Sequence, residues 1–458
     1  MMAKESIVGK IIVEGLLELT SPLLIGDGLG ELNKENDKDI HVLKNEHDLP
    51  FIPGTSITGV LREYMSKQYP EYEVALFGDM KTIQSSIIFD DIILENAKII
   101  YRDGVSIDHY TGSGIKSAKY DYEAVDAGAI GKLRMEMTIR GYHLENSADI
   151  KSNIREDIID SVLFLNGKLK NGIMLGAMTT KGFGRVKMIE NHIRFYDFAN
   201  KDDIIAWLNP HFSSNDNTRN FDRKSQLNLK SENTFRVNAD FEIKCSLIVR
   251  DYEAEEEKTK DGSPIAAIMM KSNGQYIIPG TSVKGVLRHQ AEEIFIKLNK
   301  DLSKLNNLMG NQKDSTETEK CKSRFYVDEV KIINNTITAV PHTRNKIDRF
   351  TGGTIDTALF TTKPLWQMQS GKKALEISFI IQDATESEAG LALFLLKDIW
   401  QGKVAFGGEK GIGRGTLKGI RAEIEYQGNT WELKKHGEVT KGNKEELNTF
   451  AQAFVNGE

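Results

Sequence analysis

The chain has 458 residues, with 60 Lys and Arg against 66 Asp and Glu and a formal net charge of -6. No apolar run reaches the roughly 18 residues needed to cross a bilayer. Cys245 and Cys321 show no CxxC spacing and the histidines no HxxxH or HExxH pattern. A membrane span and a structural zinc site are therefore not expected, and a reducing cytoplasm is.

The N-terminal stretch carries Lys and Glu within its apolar run, through Ile11, Val13, Leu17 and Leu19. It reads as a strand and not as a signal peptide. A polar loop over 26–49 leads to IPGTSITGVLR at 52–62. Pro and Gly break the chain there, and Ile57, Val60, Leu61 and Met65 fall at helical spacing. A turn at Phe77-Gly78, a strand from Ser85, an Ile107-Asp108…Thr111-Gly112 loop, a helix near 154–165 and KGFGR at 181–185 complete the first half. Residues 201–235, rich in Asn, Asp, Ser, Lys and Arg, read as a linker.

The second half repeats this order. Val237, Ala239, Phe241, Ile243, Cys245, Leu247 and Val249 alternate with polar residues, which predicts a half-buried strand. A polar loop over 250–275, IPGTSVKGVLR at 278–288, a turn at Met309-Gly310 and a strand from Ser323 follow. Then come Asn345-Lys346-Ile347-Asp348-Arg349-Phe350-Thr351-Gly352, a helix near 386–400 and KGIGR at 410–414. The long phrases agree at nine of eleven positions and lie 226 residues apart, a period too long for a solenoid. The expectation is a duplicated α+β domain over 1–200 and 236–433, with a charged tail over 434–458. Strand, helix, strand, strand, helix, strand is the ferredoxin-like order, which is also that of the RNA-recognition fold.

Glycine beside hydroxyl and basic residues suits contact with a phosphodiester chain, because bare backbone N–H groups can approach and a helix start adds partial positive charge. The acidic balance is a weak objection, since a local basic stripe binds phosphate on an acidic protein. The candidates are Gly54, Thr55, Ser56 and Arg62 in the first phrase, and Gly280, Thr281, Ser282, Lys284 and Arg288 in the second. Lys181, Arg185, Lys410 and Arg414 join them from the glycine loops. GGEKGIGRG at 407–415 has no Lys-Ser/Thr pair, so it is no phosphate loop of the nucleotide-triphosphate kind. No GxGxxG follows a strand with an acid about twenty residues on, so a dinucleotide site is not expected either.

The set resembles the RAMP superfamily, which supplies the backbone subunits of CRISPR effector complexes. An IPG-S-KG-LR helix start, an ID-R-TG loop and a glycine-rich GFGR loop carry the resemblance, and it covers nearly the whole chain. Two fused copies are similar to the double-backbone subunit of type III-D systems. The resemblance implies two tandem ferredoxin-like domains that grip guide RNA. It also implies cutting of complementary target RNA by metal-dependent 2′-hydroxyl attack, one cut per domain, about six nucleotides apart. Other effector subunits and a divalent cation, Mg2+ or Mn2+, are the implied partners. The implied catalytic, metal-holding acid is Asp39, three residues before Val42, with Asp37 and Asp27 as alternatives. In the second half strict register falls on Ile265, and the nearest acid is Asp261. The ID-TG loops lie at the implied thumb, where Tyr110, Tyr120, Tyr122, Phe350, Phe360 and Trp366 can wedge between bases or pack a core. Binding without cutting is one competing reading. Processing of the guide precursor is another, with His41, His109, His289 or His342 as general acid/base.

Overall fold

The computed structural model describes residues 6–457 except 29–38, 109–113, 146–153, 210–224, 226, 228–232, 253, 255–256, 261, 263, 312–320 and 357. Asp37, His109, Tyr110 and Asp261 lie outside the described residues. The chain forms two compact units. One comprises Met1–Arg102, Asp121–Thr179 and Gly184–Lys230, and the other Asp103–Tyr120, Thr180–Phe183 and Ser231–Glu458.

In the first unit, β1 (Ile7–Leu19) turns Ile11, Val13, Leu17 and Leu19 to a dry face. β2 (Phe51–Ile52) leads into α1 (Gly54–Gln68) and α2 (Pro70–Phe77), and β3 (Ile87–Phe89) and β4 (Ile92–Glu95) follow. The paired strands β5 (Ile99–Ile107) and β6 (Gly114–Val125), of which Asp103–Tyr120 belongs to the other unit, precede β7 (Ile130–Arg140), and the first unit continues with α3 (Glu156–Asn171), β8 (Ile173–Met174), β9 (Arg185–Asp197) and α4 (Lys201–Leu208). The sheet order is β2-β4-β7-β1-β9-β8, with β3 also beside β7. β1 is antiparallel to both neighbours, pairing Val13 with Met135 and with Ile193. On α1, Ile57, Leu61 and Met65 recur every four residues and are fully buried, so that stripe faces the sheet. Ile158, Val162, Leu165 and Leu169 give α3 the same kind of stripe.

The second unit repeats the plan, with further short strands in its loops. β10 (Phe235–Ile243), α5 (Gly280–Lys297), α6 (Leu302–Met309) and β11 (Phe325–Val327) open it. β12 (His342–Arg344), β13 (Phe360–Lys363), β14 (Leu375–Ile381) and α7 (Glu386–Trp400) follow, then β15 (Leu417–Tyr426), β16 (Asn429–Lys434), β17 (Glu438–Lys441) and α8 (Lys444–Asn456). Its sheet runs β11-β14-β10-β15-β16-β17. In both units the first ferredoxin strand is flanked by the third and fourth, with the second outside the third, and the helices cover one face. The charged stretch after Lys434 folds into this unit. α8 packs on α7, where a Cβ added at Gly390 would lie 2.1 Å from the carbonyl oxygen of Phe450.

Candidate nucleic-acid interface

Asp39 lies on the extended segment between β1 and α1, exposed to solvent. Its backbone N–H donates to the Asp121 carbonyl at 3.0 Å, and its Oδ2 accepts from the Asp121 N–H at 2.9 Å. The segment continues as a bridge from Ile40 to Tyr122. Two residues on, His41 Nδ1 is 3.6 Å from Glu123 Oε1, while Glu123 Oε2 accepts from the Val42 N–H at 3.1 Å. Asp27 touches the same segment through its N–H, 3.1 Å from the His41 carbonyl. Asp121 and Glu123 stand some 80 residues further along the chain, and no local pattern marks them as the supports of this segment. Among the described residues no three His, Cys, Asp or Glu side chains gather as a metal cage. An exposed carboxylate still suits Mg2+, which is commonly held by one or two carboxylates together with substrate phosphates.

The Pro-Gly helix starts differ between the units. At α1 the Gly54 N–H donates to Asp91 Oδ1 at 2.8 Å, so a carboxylate already occupies the positive end of the helix. A Cβ at Gly54 would lie 2.1 Å from the Phe89 carbonyl, which is why only glycine fits. At α5 the backbone of Lys181 takes the corresponding place: a Cβ at Gly280 would lie 2.1 Å from the Lys181 carbonyl oxygen. Thr55 is exposed, and Ser56, Thr281 and Ser282 are half-buried.

Several candidate cations have intramolecular partners. Arg62 donates to Glu73 Oε1 at 2.6 Å and to the Gly78 carbonyl at 3.2 Å. Arg288 donates to Glu292 at 2.9 Å, and to the Gly310 carbonyl and Asn306 Oδ1 at 2.7 Å each. The repeated arginine thus ties the first helix to the glycine that ends the next, Gly78 at φ 71° and Gly310 at φ 87°. Lys284 is buried. Its Nζ donates to Thr180 Oγ1 at 2.9 Å, Ser323 Oγ at 2.7 Å and the Phe325 carbonyl at 2.9 Å. Burial, with smaller contributions from the charges of Lys181 and Arg288, pushes its amine down to about 7. Burial and the Arg288 charge also lower the Lys181 amine.

The glycine loops share one backbone, but not in the register of their KG-GR letters. Gly184 and Gly415 are the structural counterparts. Their carbonyls accept from Leu175 and Phe406 at 2.8 and 2.9 Å, and their N–H groups donate to Pro22 and Ser246 at 2.7 Å each. Counting back from them, Gly182 (φ 84°) matches Gly413 (φ 86°), and Met178 matches Glu409 (both φ 57°). Arg414 therefore answers to Phe183 and not to Arg185. Both are buried. Arg185 is half-buried, and its backbone N–H donates to Ser21 Oγ at 2.9 Å.

In the second unit the Arg414 guanidinium meets Glu409 at 3.1 Å and His342 Nδ1 at 2.9 Å, and Glu409 also pairs with Arg344. Burial lowers the Arg414 pKa, partly offset by Glu409. Arg344 stacks 4.6 Å from the Phe360 ring. Neither His342, Arg344 nor Glu409 has a counterpart in the shared motifs, so this ionic group was not visible as one. Lys410 is exposed. Phe350 stands free at the tip of the ID-TG loop at 99% exposure, where Asp348 Oδ1 accepts from the N–H groups of Phe350 and Thr351. Trp366 is half-buried against His342, and the Tyr120 ring covers Gly104. Tyr122 is part of the interior, so packing accounts for it.

A family model described as the RAMP superfamily matches residues 16–187 and 247–418. The chain belongs to this superfamily. Both ends of the matched stretches are displaced by 231 residues, the displacement that relates Gly184 to Gly415. Among solved structures, a chain from the cryo-EM structure of the type III-B Cmr-beta bound to cognate target RNA matches at 16% identity and TM-score 0.30, over 40% of this chain. The match spans 61% of that neighbour's own chain. No curated protein matches the sequence. Among the described residues no helix is long and apolar enough to cross a membrane.

Proposed function

We propose that this RAMP protein is a subunit of a type III CRISPR effector complex that holds guide RNA and cuts the target RNA paired with it. The observation that carries the reading is a family match over two whole domains, together with an exposed carboxylate, Asp39, on the segment between the first strand and first helix. Phosphate contacts are assigned to Lys181, Arg185 and Lys410 with the hydroxyls of Thr55 and Ser56. Such contacts hold RNA without reading its sequence. Asp39 is well suited to act on a phosphodiester. Its Oδ2 is held by the Asp121 N–H, which fixes the carboxylate plane.

The reaction is attack of a 2′-hydroxyl oxygen on the adjacent phosphorus, with the 5′-oxygen leaving, to give a cyclic phosphate and a 5′-hydroxyl. A divalent cation held by Asp39 and the RNA phosphates would neutralise charge on the oxygens in line. Asp39 itself orients, and the bases displaced beside it free the backbone for the in-line arrangement. Asp261 is proposed for the same role in the second domain.

The test is cleavage of a complementary RNA by the purified assembly. Asp39→Ala should remove one product band and leave guide binding intact, because the carboxylate serves the transition state. Asp261→Ala should remove a second band, about six nucleotides away, and EDTA both. Cleavage unchanged by Asp39→Ala, Asp37→Ala and Asp27→Ala would leave a binding-only subunit. Repeat-derived RNA of uniform length should co-purify, and its absence would defeat the effector reading.

A further inference from the structure

The ionic group of the second unit lies between a pair of strands and the second glycine loop. β12 and β13 face each other in register, His342 with Thr362, Thr343 with Thr361 and Arg344 with Phe360. Thr343 and Thr361 meet on one face through hydroxyls 2.8 Å apart. Alternation puts His342, Arg344 and Thr362 on the other face, where Arg344 and His342 meet Glu409 and Arg414 of the loop. The charges of this group do not balance. Two guanidiniums share the one carboxylate of Glu409, and among the described residues no other acid pairs with either. The hydrogen bonds do not balance either. Glu409 Oε1 accepts from Arg344, but Oε2 lies 3.1 Å from Arg414 Nε without the alignment of a hydrogen bond. Arg344 Nε, Arg414 Nη1 and Thr362 Oγ1 are buried with no hydrogen-bond partner among the described residues. Arg414 and Thr362 are each only 3% exposed. Burying a donor without an acceptor is costly, so three together call for an acceptor of their own.

We propose that this group is a phosphate site that Glu409 closes in the free protein. An incoming phosphate displaces the Glu409 carboxylate and accepts hydrogen bonds from Arg344, Arg414 and Thr362. A carboxylate has two oxygens, and Glu409 bonds Arg344 with one and leaves the other poorly aligned to Arg414. A phosphate has more acceptor oxygens, in a geometry that the guanidinium fork matches. Exposure sets the way in. The side chains are 26% exposed at Glu409, 20% at Arg344 and 3% at Arg414, so the carboxylate stands outermost and the deepest guanidinium is reached by moving it. In the first copy Met178 and Phe183 fill the places of Glu409 and Arg414, so the site belongs to the second copy alone. A phosphodiester of RNA and a free phosphate share this chemistry. The proposed function favours the first, and in that form the inference rests on that reading.

The test titrates the full chain, at constant ionic strength, with inorganic phosphate and with a short oligouridylate. Glu409→Gln keeps the shape of the side chain and removes the competing charge, so it should tighten binding about tenfold. A gain with oligouridylate identifies the ligand as an RNA phosphate, and a gain with inorganic phosphate alone identifies a free one. Adding Arg344→Met should abolish the gain. Arg344→Lys, which keeps the charge and loses the fork, should abolish most of it and serves where Arg344→Met does not fold. Glu425→Gln removes an acid paired with Arg236 elsewhere in the unit and should leave both affinities unchanged. Affinities that Glu409→Gln does not alter would overturn the inference. So would a gain that survives both Arg344 substitutions, or an equal gain in Glu425→Gln, since either is charge acting at a distance. RNA that co-purifies with a chain showing no gain would reject the site and leave the effector reading in place. A gain with phosphate in a chain that never carries RNA would defeat the effector reading and leave the site.

Discussion

At Gly182 the first glycine loop has no room for a methyl group, whereas at Gly413 the second has nothing within 4 Å. Two residues later the difference vanishes. A Cβ at Gly184 would lie 1.8 Å from the Leu175 carbonyl, and one at Gly415 would lie 1.9 Å from that of Phe406. The base of each loop is therefore fixed by packing, whereas the tips keep one backbone in different surroundings. Behind the tip the copies diverge in chemistry too. Phe183 fills its place with an apolar ring, while Arg414 fills the same place with a guanidinium shared between Glu409 and His342. Duplication kept the scaffold and let the contents of the loops change.

The largest effect expected from breaking this comparison is at the loop bases. Gly184→Ala and Gly415→Ala each add a clash with a carbonyl at φ 76° and 83°, and should each cost about 3 kcal/mol or more. Gly411→Ala, with open space and no positive φ, should stay within about 0.5 kcal/mol. Urea midpoints of the three variants give the answer. A Gly415→Ala variant as stable as Gly411→Ala would show that the two loops do not share a base.

The next effect is confined to one unit. Lys284 is buried with a depressed amine, whereas its counterpart in the first phrase, Thr58, donates to the Gly54 carbonyl at 2.8 Å and does not titrate. The unfolded chain binds the Lys284 proton up to its ordinary value of 10.5, and the folded chain only up to about 7. Between those values the unfolded state holds more protons, so stability should rise with pH, by at most about 1.4 kcal/mol per unit. Below pH 7 both states are protonated, and this contribution is flat. Lys284→Met should remove the rise. A wild-type midpoint that falls from pH 7 to 10 by an amount Lys284→Met does not change would mean that the three oxygens around Nζ keep it charged.

Much of this was legible in the letters. Pro and Gly before Ile57, Leu61 and Met65 announced a helix start, because chain breaking and helical spacing are local properties. Strand alternation through Phe241 and Ile243 was legible for the same reason. The glycine loops misled, and the cause is specific. Gly411, Gly413 and Gly415 alternate, so the KGIGR letters can slide by two residues onto KGFGR and gain a false Lys and Arg match. Only the φ pattern and the carbonyl contacts fix the true register. The fate of Lys284 was hidden because its acceptors, Thr180, Ser323 and Phe325, come from distant segments. Asp39 was a candidate only through the family resemblance, beside Asp37 and Asp27, and its support by Asp121 comes from a strand that no local pattern aligns with it.

The smallest effect concerns the arginine that the two long phrases share. Arg288 is 17% exposed and makes three bonds, one of them to the carbonyl at the end of α6. Arg62 is 44% exposed and makes a longer bond to the Gly78 carbonyl. Removing a part-buried donor leaves its acceptors unpaired, while an exposed one is replaced by water. Arg288→Met should thus cost about 2 kcal/mol and Arg62→Met about 0.5 kcal/mol. The same pair separates structure from RNA contact. If both arginines serve only to join helices, RNA affinity measured at two salt concentrations should keep its slope in both variants. If Arg62 also meets a phosphate, Arg62→Met should lower that slope by about one while leaving the urea midpoint nearly unchanged. Equal stability losses in the two variants would mean that exposure does not grade the work of this residue, and that its repetition reflects one structural duty carried out alike in both copies.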